Sequence, residues 1–170
     1  MSPLVLHQPA LDALHASMTT LLRESGAKCA VLVDQDGQCI TQRGFTQHID
    51  TAALAALVAG SFASTRAMAK LVGENEFTVL FHQGEKDSIH NVLVDDDTIL
   101  CVIFDDRTTI GMVRLYAKSS AAEITEILGH ERKALAMAAT CPDRATGGAG
   151  EGSDMGQAAA DKLDDLFGDR

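Results

Sequence analysis

The feature that most constrains the fold is a series of short β-rich segments joined by tight turns. FTVLFHQ, SIHNVLV and TILCVIF follow one another between residues 77 and 104, separated only by GEKD and an acidic turn at 95–97. Earlier in the chain, two more β-rich runs flank Asp36 and Gly37, an arrangement typical of a β-hairpin. Strands joined by turns this short pair antiparallel with their neighbours. The sequence therefore predicts an antiparallel sheet.

Three other segments carry apolar residues at helical spacing. The first lies between Pro9 and Gly26, and the second begins at Asp50, a good N-cap residue, and closes at Gly73. The third runs through 110–127, although the stretch GMVRLYA within it also fits a strand. The element order is α-β-β-α-β-β-β-α. Because helices are needed to cover the faces of the sheet, this order predicts an α+β sandwich.

Composition and charge exclude several classes of protein. The chain has 24 acidic and 14 basic residues, a net charge of -10, so it lacks the basic surface on which nucleic-acid binding depends. Cysteines at positions 29, 39, 101 and 141 form no CxxC pair, and the N-terminus does not resemble an export signal. Free thiols without such a signal predict a cytoplasmic protein.

The composition changes near Cys141, which predicts three regions. Residues 1–140 form the folded domain, and residues 141–160, with the run GGAGEG, form a flexible glycine-rich linker. Residues 161–170 form a short acidic amphipathic segment. Its apolar residues are spaced like one helical turn and are expected to dock on a partner surface; they are Leu163, Leu166 and Phe167.

No motif for catalysis, cofactor binding or phosphate binding occurs in the chain. The sequence lacks a phosphate loop, a nucleophile elbow and an HExxH pair. His82 and His90 could meet across a turn near Asp87, but a metal site there is disfavoured because no second layer of residues supports it. We therefore expect no catalytic residue, no metal and no cofactor. The 15 uncharged residues at 51–65 are too few and too rich in alanine for a membrane span, and predict a soluble helix.

The second helix has an unusual surface. Its predicted core-facing stripe consists of larger apolar residues and one serine: Leu54, Leu57, Val58, Ser61, Met68 and Leu71. An exposed helix face normally carries long charged side chains, but the other side here carries mostly alanine, with two cations near its end. Small residues let another backbone approach closely, and the cations suit an acidic patch on a partner. The predicted docking face consists of Ala52, Ala56, Ala59, Gly60, Ala63, Arg66, Ala67 and Lys70.

Several blocks of the sequence resemble a known family. They are LVDQDGQ, GFTQHIDTAALAALVAGSFASTRAMAKLVGENEF, FHQGEKDSIH, ILCVIFDDRTTIGMVRL and the ending DKLDDLF. In this order they resemble the MglB type of the Roadblock (dynein light chain) family, continuously over about residues 4–128. The linker before the terminal block is longer and richer in glycine than the family pattern.

The resemblance implies a Roadblock/profilin-like α/β/α sandwich. Its five-stranded antiparallel sheet has the order 2-1-5-4-3, with one long helix on one face and two on the other. It also implies a homodimer in which the second helices lie side by side and the sheets join edge to edge. The implied partner is a Ras-like small GTPase of the MglA type, bound across the dimer in its GTP state.

The function implied by the resemblance is regulatory. Members of the MglB type accelerate GTP hydrolysis by their GTPase without an arginine finger, and some aid nucleotide exchange through the C-terminal segment. The predicted docking helix, with Ala63 and Ala67, matches the GTPase-facing helix of the family. The alternative is a Roadblock scaffold that assembles polarity or motility partners without changing nucleotide turnover. Neither reading requires an active site in this chain.

Overall fold

The structure is a computed structural model that describes residues 6–139. The chain divides into two compact units, Met1–Leu135 and Ala136–Arg170, and the second is described only where the last helix extends into it. Leu163, Leu166 and Phe167 lie outside the described residues. The predicted linker and docking segment, and the boundary at residue 140, therefore remain predictions.

The order of elements is the one predicted from the sequence. The bounds are α1 Gln8–Ser25, β1 Cys29–Asp34, β2 Cys39–Gly44, α2 Thr51–Leu71, β3 Val79–Gln83, β4 Asp87–Asp95, β5 Thr98–Asp105 and α3 Ile110–Ala139. The stretch GMVRLYA belongs to α3 and is not a strand. The prediction of a long third helix is therefore confirmed.

The five strands form one antiparallel sheet in the order β2-β1-β5-β4-β3. The central strand β5 is buried along nearly its whole length, as expected for a strand covered on both faces. The strands β2 and β3 form the two edges; β3 is mostly exposed, whereas the first half of β2 is half-buried. The predicted strand order is confirmed.

Alternate side chains of the central strands pack against different helices. On one face, Leu32, Leu100 and Val102 pack with apolar residues of α1 and α3. On the other face, Val31 and Cys101 pack with residues of α2. The sandwich therefore has α2 alone on one face and α1 with α3 on the other.

Two local features position α2. The carboxylate of Asp50 accepts a hydrogen bond from the backbone N–H of Ala53 at 3.0 Å, so Asp50 caps the helix as predicted. Before it, Gly44 has a φ of 90°, and a Cβ atom there would lie 2.4 Å from the carbonyl oxygen of Lys28. Only glycine allows this close approach at the end of β2.

The rotation of α2 about its own axis differs from the prediction. Leu57, Met68 and Leu71 were expected in the core, but their exposed fractions are 70%, 51% and 87%. The residues that α2 buries are Ala55, Val58, Ala59, Phe62 and Ala69. The prediction was wrong for these three residues, because apolar residues surround the helix and fit more than one rotation; Val58, from the same predicted stripe, is buried as expected. In the structure, alanines flank Phe62 in the core, and small side chains let the helix backbone approach the sheet closely.

A polar residue is buried on the other face of the sheet. His90 in β4 is 2% exposed, and it pairs with Phe81 in β3 and Val102 in β5. Its Nδ1 has no hydrogen-bond partner among residues 6–139. Burial, and then the charge of Arg114, lowers the pKa of His90 from its ordinary value of 6.5. The folded protein therefore favours neutral His90.

This burial predicts an acid-sensitive stability. The unfolded chain binds a proton at His90 more readily than the folded chain, so this contribution to stability is present above pH 6.5 and is lost as the pH falls below it. We expect His90→Leu to reduce the loss of thermal stability between neutral and mildly acidic pH, because it removes the buried titrating group.

Thermal unfolding followed by circular dichroism across this pH range measures the effect. The matched control is His130→Gln, since His130 is an exposed histidine on α3. If His90→Leu and the control both retain the acid sensitivity of the parent protein, His90 does not carry it.

Candidate functional site

The solvent-facing side of α2 consists of two adjacent surfaces. The first, which we call the outer stripe, points directly away from the sheet. Its residues recur every three or four positions and lie on one side of the helix: Leu57, Gly60, Ser64, Met68 and Leu71. The second, the alanine flank, lies beside it and consists of Ala52, Ala56, Ala63, Ala67 and Lys70, all exposed.

The structure separates the residues of the predicted docking face. Those of the alanine flank are exposed and share one side of α2, and Gly60 borders them on the outer stripe. Ala59 is buried, 7% exposed, against the sheet, so its inclusion was wrong: helical geometry turns it toward the core with Ala55 and Phe62. Arg66 is half-buried, with its guanidinium 3.7 Å from the carboxylate of Glu76.

Sequence reasoning missed the outer stripe. Leu57, Met68 and Leu71 were assigned to the core-facing stripe, yet they are exposed to solvent. A contiguous exposed apolar patch on a small domain commonly marks a protein interface. A signal was present in the sequence, since α2 carries more apolar residues than one face can bury.

A shallow concavity of about 510 Å³ joins the outer stripe to the sheet. On α2, it is lined by Leu57, Gly60, Ser61 and Ser64, among others, and on β3 by Leu80 and His82. At Gly60, apart from the neighbouring helix backbone, no atom of the described residues lies within 4 Å of the position that a Cβ would occupy. This gap leaves room for the side chains of another molecule to enter between α2 and the edge of the sheet.

The β3 edge itself is open for pairing. Gly84 N donates to Asp87 O at 3.1 Å, and Leu93 N donates to Thr78 O at 2.8 Å. Because hydrogen-bonded pairs alternate along antiparallel strands, the backbone groups of Val79, Phe81 and Gln83 point outward. These groups form an edge that can extend the sheet.

The side chains on this edge are partly apolar. Phe81 is 37% exposed, and its ring stacks on that of Phe104 with centroids 6.2 Å apart.

The two histidines that were considered for a metal site lie on opposite faces of the sheet. His82 pairs with Ile89 and shares the face that packs against α2, whereas His90 pairs with Phe81 on the other face. The two histidines therefore do not meet. Among residues 6–139, no group of three histidine, cysteine or acidic residues could hold a metal ion.

Next to α2 on the other side is the tip of the β1–β2 hairpin. Gly37 has a φ of 85°, and a Cβ atom there would lie 3.0 Å from the Cα of Ala56. The turn backbone therefore packs directly against the alanine flank, and glycine is needed both for the conformation and for the contact. Both neighbours of Gly37, Asp36 and Gln38, are exposed, and Asp36 is the charged one. Any protein that covers the alanine flank near Ala56 also approaches this tip.

Ion pairs hold charged side chains at the opposite end of the sheet. The Arg107 Nε donates to both carboxylate oxygens of Asp105, at 2.9 and 3.0 Å, and these bonds hold the pKa of Asp105 below its ordinary value. Lys28 donates to Asp87 at 2.8 Å, which raises the pKa of Lys28. Arg107 is therefore committed to a partner within the chain.

The buried thiols lack nucleophilic character. Desolvation raises the pKa of Cys29 to about 11 and that of Cys101 to about 12. Both residues lie in the core beneath α2, where a thiol stays protonated and unreactive.

Helix α2 itself is long and apolar enough to cross a bilayer, with a mean hydropathy of 1.3. Only 28% of this apolar window is buried in the domain, and one such helix is weak evidence for a membrane span.

Comparison with known proteins shows which family this chain resembles in sequence and fold. The Roadblock/LC7 domain family matches residues 18–104. MglB of Myxococcus xanthus is 44% identical, with 69% of this chain and 95% of that chain covered and a TM-score of 0.66. The gliding protein MglB of Thermus thermophilus is 29% identical, with 76% and 98% covered and a TM-score of 0.72.

A more distant structure shares the fold alone. Profilin of Schizosaccharomyces pombe is 16% identical, with 67% of this chain and 98% of that chain covered and a TM-score of 0.51. No curated protein matches the sequence. The match to the domain family and the identity to MglB together show that this chain belongs to the Roadblock/LC7 domain family and is similar to its MglB members.

Proposed function

We propose that the protein is a cytoplasmic regulator of a Ras-like small GTPase of the MglA type, and that it acts as a homodimer. The observation that carries the proposal is the alanine flank of α2. In a chain with a net charge of -10, an exposed helix presents Ala52, Ala56, Ala63 and Ala67 where charged side chains are expected. Identity to MglB supports the choice of partner.

The outer stripe and the β3 edge suit a second copy of the chain. A lone subunit would expose Leu57, Met68 and Leu71 to water beside an unpaired strand edge. Pairing β3 with β3 of the partner subunit satisfies the outward backbone groups and brings the two α2 helices together. Apart from Ala56, which also lines the concavity beside β3, the alanine flank lies on the side of α2 toward the β1–β2 hairpin. It is therefore proposed to stay available to the GTPase in such a dimer. One MglB structure is described as having a tetrameric arrangement.

The proposed mechanism is indirect. The GTPase in its GTP state binds across the dimer, and the dimer holds the catalytic groups of the GTPase in place, so that hydrolysis accelerates without an arginine finger. Arg66 and Arg107 already contact Glu76 and Asp105, so a finger inserted from either would first have to break an ion pair. Leu163, Leu166 and Phe167, outside the described residues, are proposed to dock on the GTPase and to aid nucleotide exchange.

The first test concerns the dimer. Full overlap of two β3 strands places Phe81 opposite Phe81 of the partner subunit. Phe81→Asp would set two like charges directly across the interface, which destabilises pairing, so we expect a monomer at micromolar concentration by light scattering. Gln83→Pro should also give a monomer, because it removes an outward N–H that takes no part in pairing with β4.

The control for this test is Leu115→Asp. Leu115 is an exposed apolar residue of α3, 62% exposed, on the opposite face of the sheet. The Leu115→Asp variant should remain dimeric, and melting curves should show that all three variants fold. If Phe81→Asp and Gln83→Pro both fold and both remain dimeric, pairing through β3 is contradicted.

The second test concerns the alanine flank. Ala63→Arg and Ala67→Arg each place a long cation where close backbone approach is proposed, so each should abolish binding of the GTP-loaded GTPase. Stability should change little, because both positions are exposed. Ala122→Arg, an identical change on the exposed side of α3, should bind normally. Calorimetric titration measures all three, and normal binding by both flank variants would show that the flank is misassigned.

The third test separates activation from scaffolding. Mixing the protein with a GTP-loaded MglA-type GTPase and timing phosphate release should show acceleration; binding without acceleration would favour the scaffold. At saturating protein, Arg66→Ala and Arg107→Ala should lose far less than the roughly 10³- to 10⁵-fold that an inserted arginine supplies. A thousandfold loss in either variant would instead establish an arginine finger.

A further inference from the structure

The tip of the β1–β2 hairpin is held rigidly against the alanine flank. Within the turn, Gly37 N donates to Asp34 O at 3.1 Å, and Gln38 N donates to the Asp34 carboxylate at 2.7 Å. Gln35 N donates to the carbonyl oxygen of Asp97 at 2.9 Å, which ties the hairpin to the β4–β5 turn. Together with the contact of Gly37 on Ala56, these bonds fix the tip relative to α2.

The β4–β5 turn is in turn anchored to α3. The Arg132 guanidinium donates to the Asp95 carboxylate at 2.9 Å, and it lies 3.8 Å from the Asp97 carboxylate. The support for the hairpin therefore runs across the end of the sheet to a long helix on the other face. A charge carried on this tip is preorganised, and little conformational entropy is lost when a partner contacts it.

Of the carboxylates near the tip, that of Asp36 has no partner among the described residues. Asp34 accepts a hydrogen bond from Gln38, and Asp50 caps α2. Asp36 is exposed, and within residues 6–139 it makes no side-chain hydrogen bond or ion pair. Its neighbour Gly37 touches the alanine flank. Asp36 is therefore placed to meet any molecule that covers the flank.

A positive charge lies near the other end of the same flank. Lys70 is exposed and likewise has no ion pair in the described part of the chain. It follows Ala56 by 14 residues, which corresponds to about 21 Å along an α-helix. Between the two charged groups, the flank carries alanines. The surface thus has a negative end, a neutral middle that permits close approach, and a positive end.

We propose that Asp36 is a specificity-determining contact for the GTPase. It pairs with a basic side chain on the GTPase, while Lys70 faces an acidic one farther along the flank, so that the two charges set the direction in which the GTPase lies along α2. This inference rests on the function proposed above. A partner with the reversed charge arrangement would place like charges together at both ends, which disfavours the wrong orientation.

The charge of Asp36 is expected to change mainly the rate at which the GTPase associates. Charged groups at the rim of an interface steer the encounter and change the association rate, and salt screens their action. Asp36→Lys reverses the charge at the tip without touching the alanine flank or the buried side of α2. We expect it to lower the association rate constant for the GTP-loaded GTPase about tenfold at low salt, with the difference shrinking as salt is added.

The matched control is Asp12→Lys. Asp12 is exposed on α1, on the other face of the sheet, and the substitution changes the net charge of the protein by the same amount. Stopped-flow association of the full-length dimer with an MglA-type GTPase, loaded with a non-hydrolysable GTP analogue, measures both variants. Asp12→Lys should stay within about twofold of the parent rate, because it lies away from the docking path.

The outcomes distinguish the two proposals. A selective, salt-dependent loss in Asp36→Lys supports the assignment of Asp36. Equal slowing in both variants would show an effect of net charge alone, and an unchanged rate in Asp36→Lys would remove Asp36 from the interface; either result overturns the inference while the GTPase still binds. If the parent protein does not bind the GTPase at all, the proposed function fails, and the inference fails with it.

Discussion

The rest of the structure depends on how α2 packs against the sheet. The contact is made by Phe62 and Val58 together with three alanines, so the helix lies close to the strands and buries a narrow side. That contact determines which residues remain outside. Had Leu57 and Met68 faced the sheet, Phe62 and Val58 would lie on the solvent side instead, and the surface next to the β3 edge would carry different side chains.

One helix therefore supplies two surfaces of different character. The outer stripe has large apolar side chains and adjoins an open strand edge, where burial of apolar area favours stable association. The alanine flank offers little apolar area but allows close backbone approach, which suits a partner that must bind and leave. In the proposed complex, their separation around the helix lets a second subunit and a GTPase bind the same element.

The far end of the sheet adds rigidity to this arrangement. The β1–β2 hairpin rests on α2 through Gly37 and is bonded to the β4–β5 turn, which Arg132 anchors to α3. Two faces of the sandwich are thus connected around the edge of the core. At the opposite end, Lys28 and Arg107 are held by Asp87 and Asp105, so those cations serve the domain itself.

Much of this protein was determined by its sequence read locally. Strand alternation, the cap at Asp50 and the turns fix the element order, because they depend on neighbouring residues alone, and the family resemblance supplied the strand order. The rotation of α2 was decided only by tertiary structure, since both of its sides are apolar and hydrophobicity cannot choose between them. In the folded domain, Phe62 and the alanines pack against the sheet, and Leu57, Met68 and Leu71 are therefore exposed. The contact of Gly37 with Ala56 likewise depends on residues distant in the chain, which local patterns do not specify.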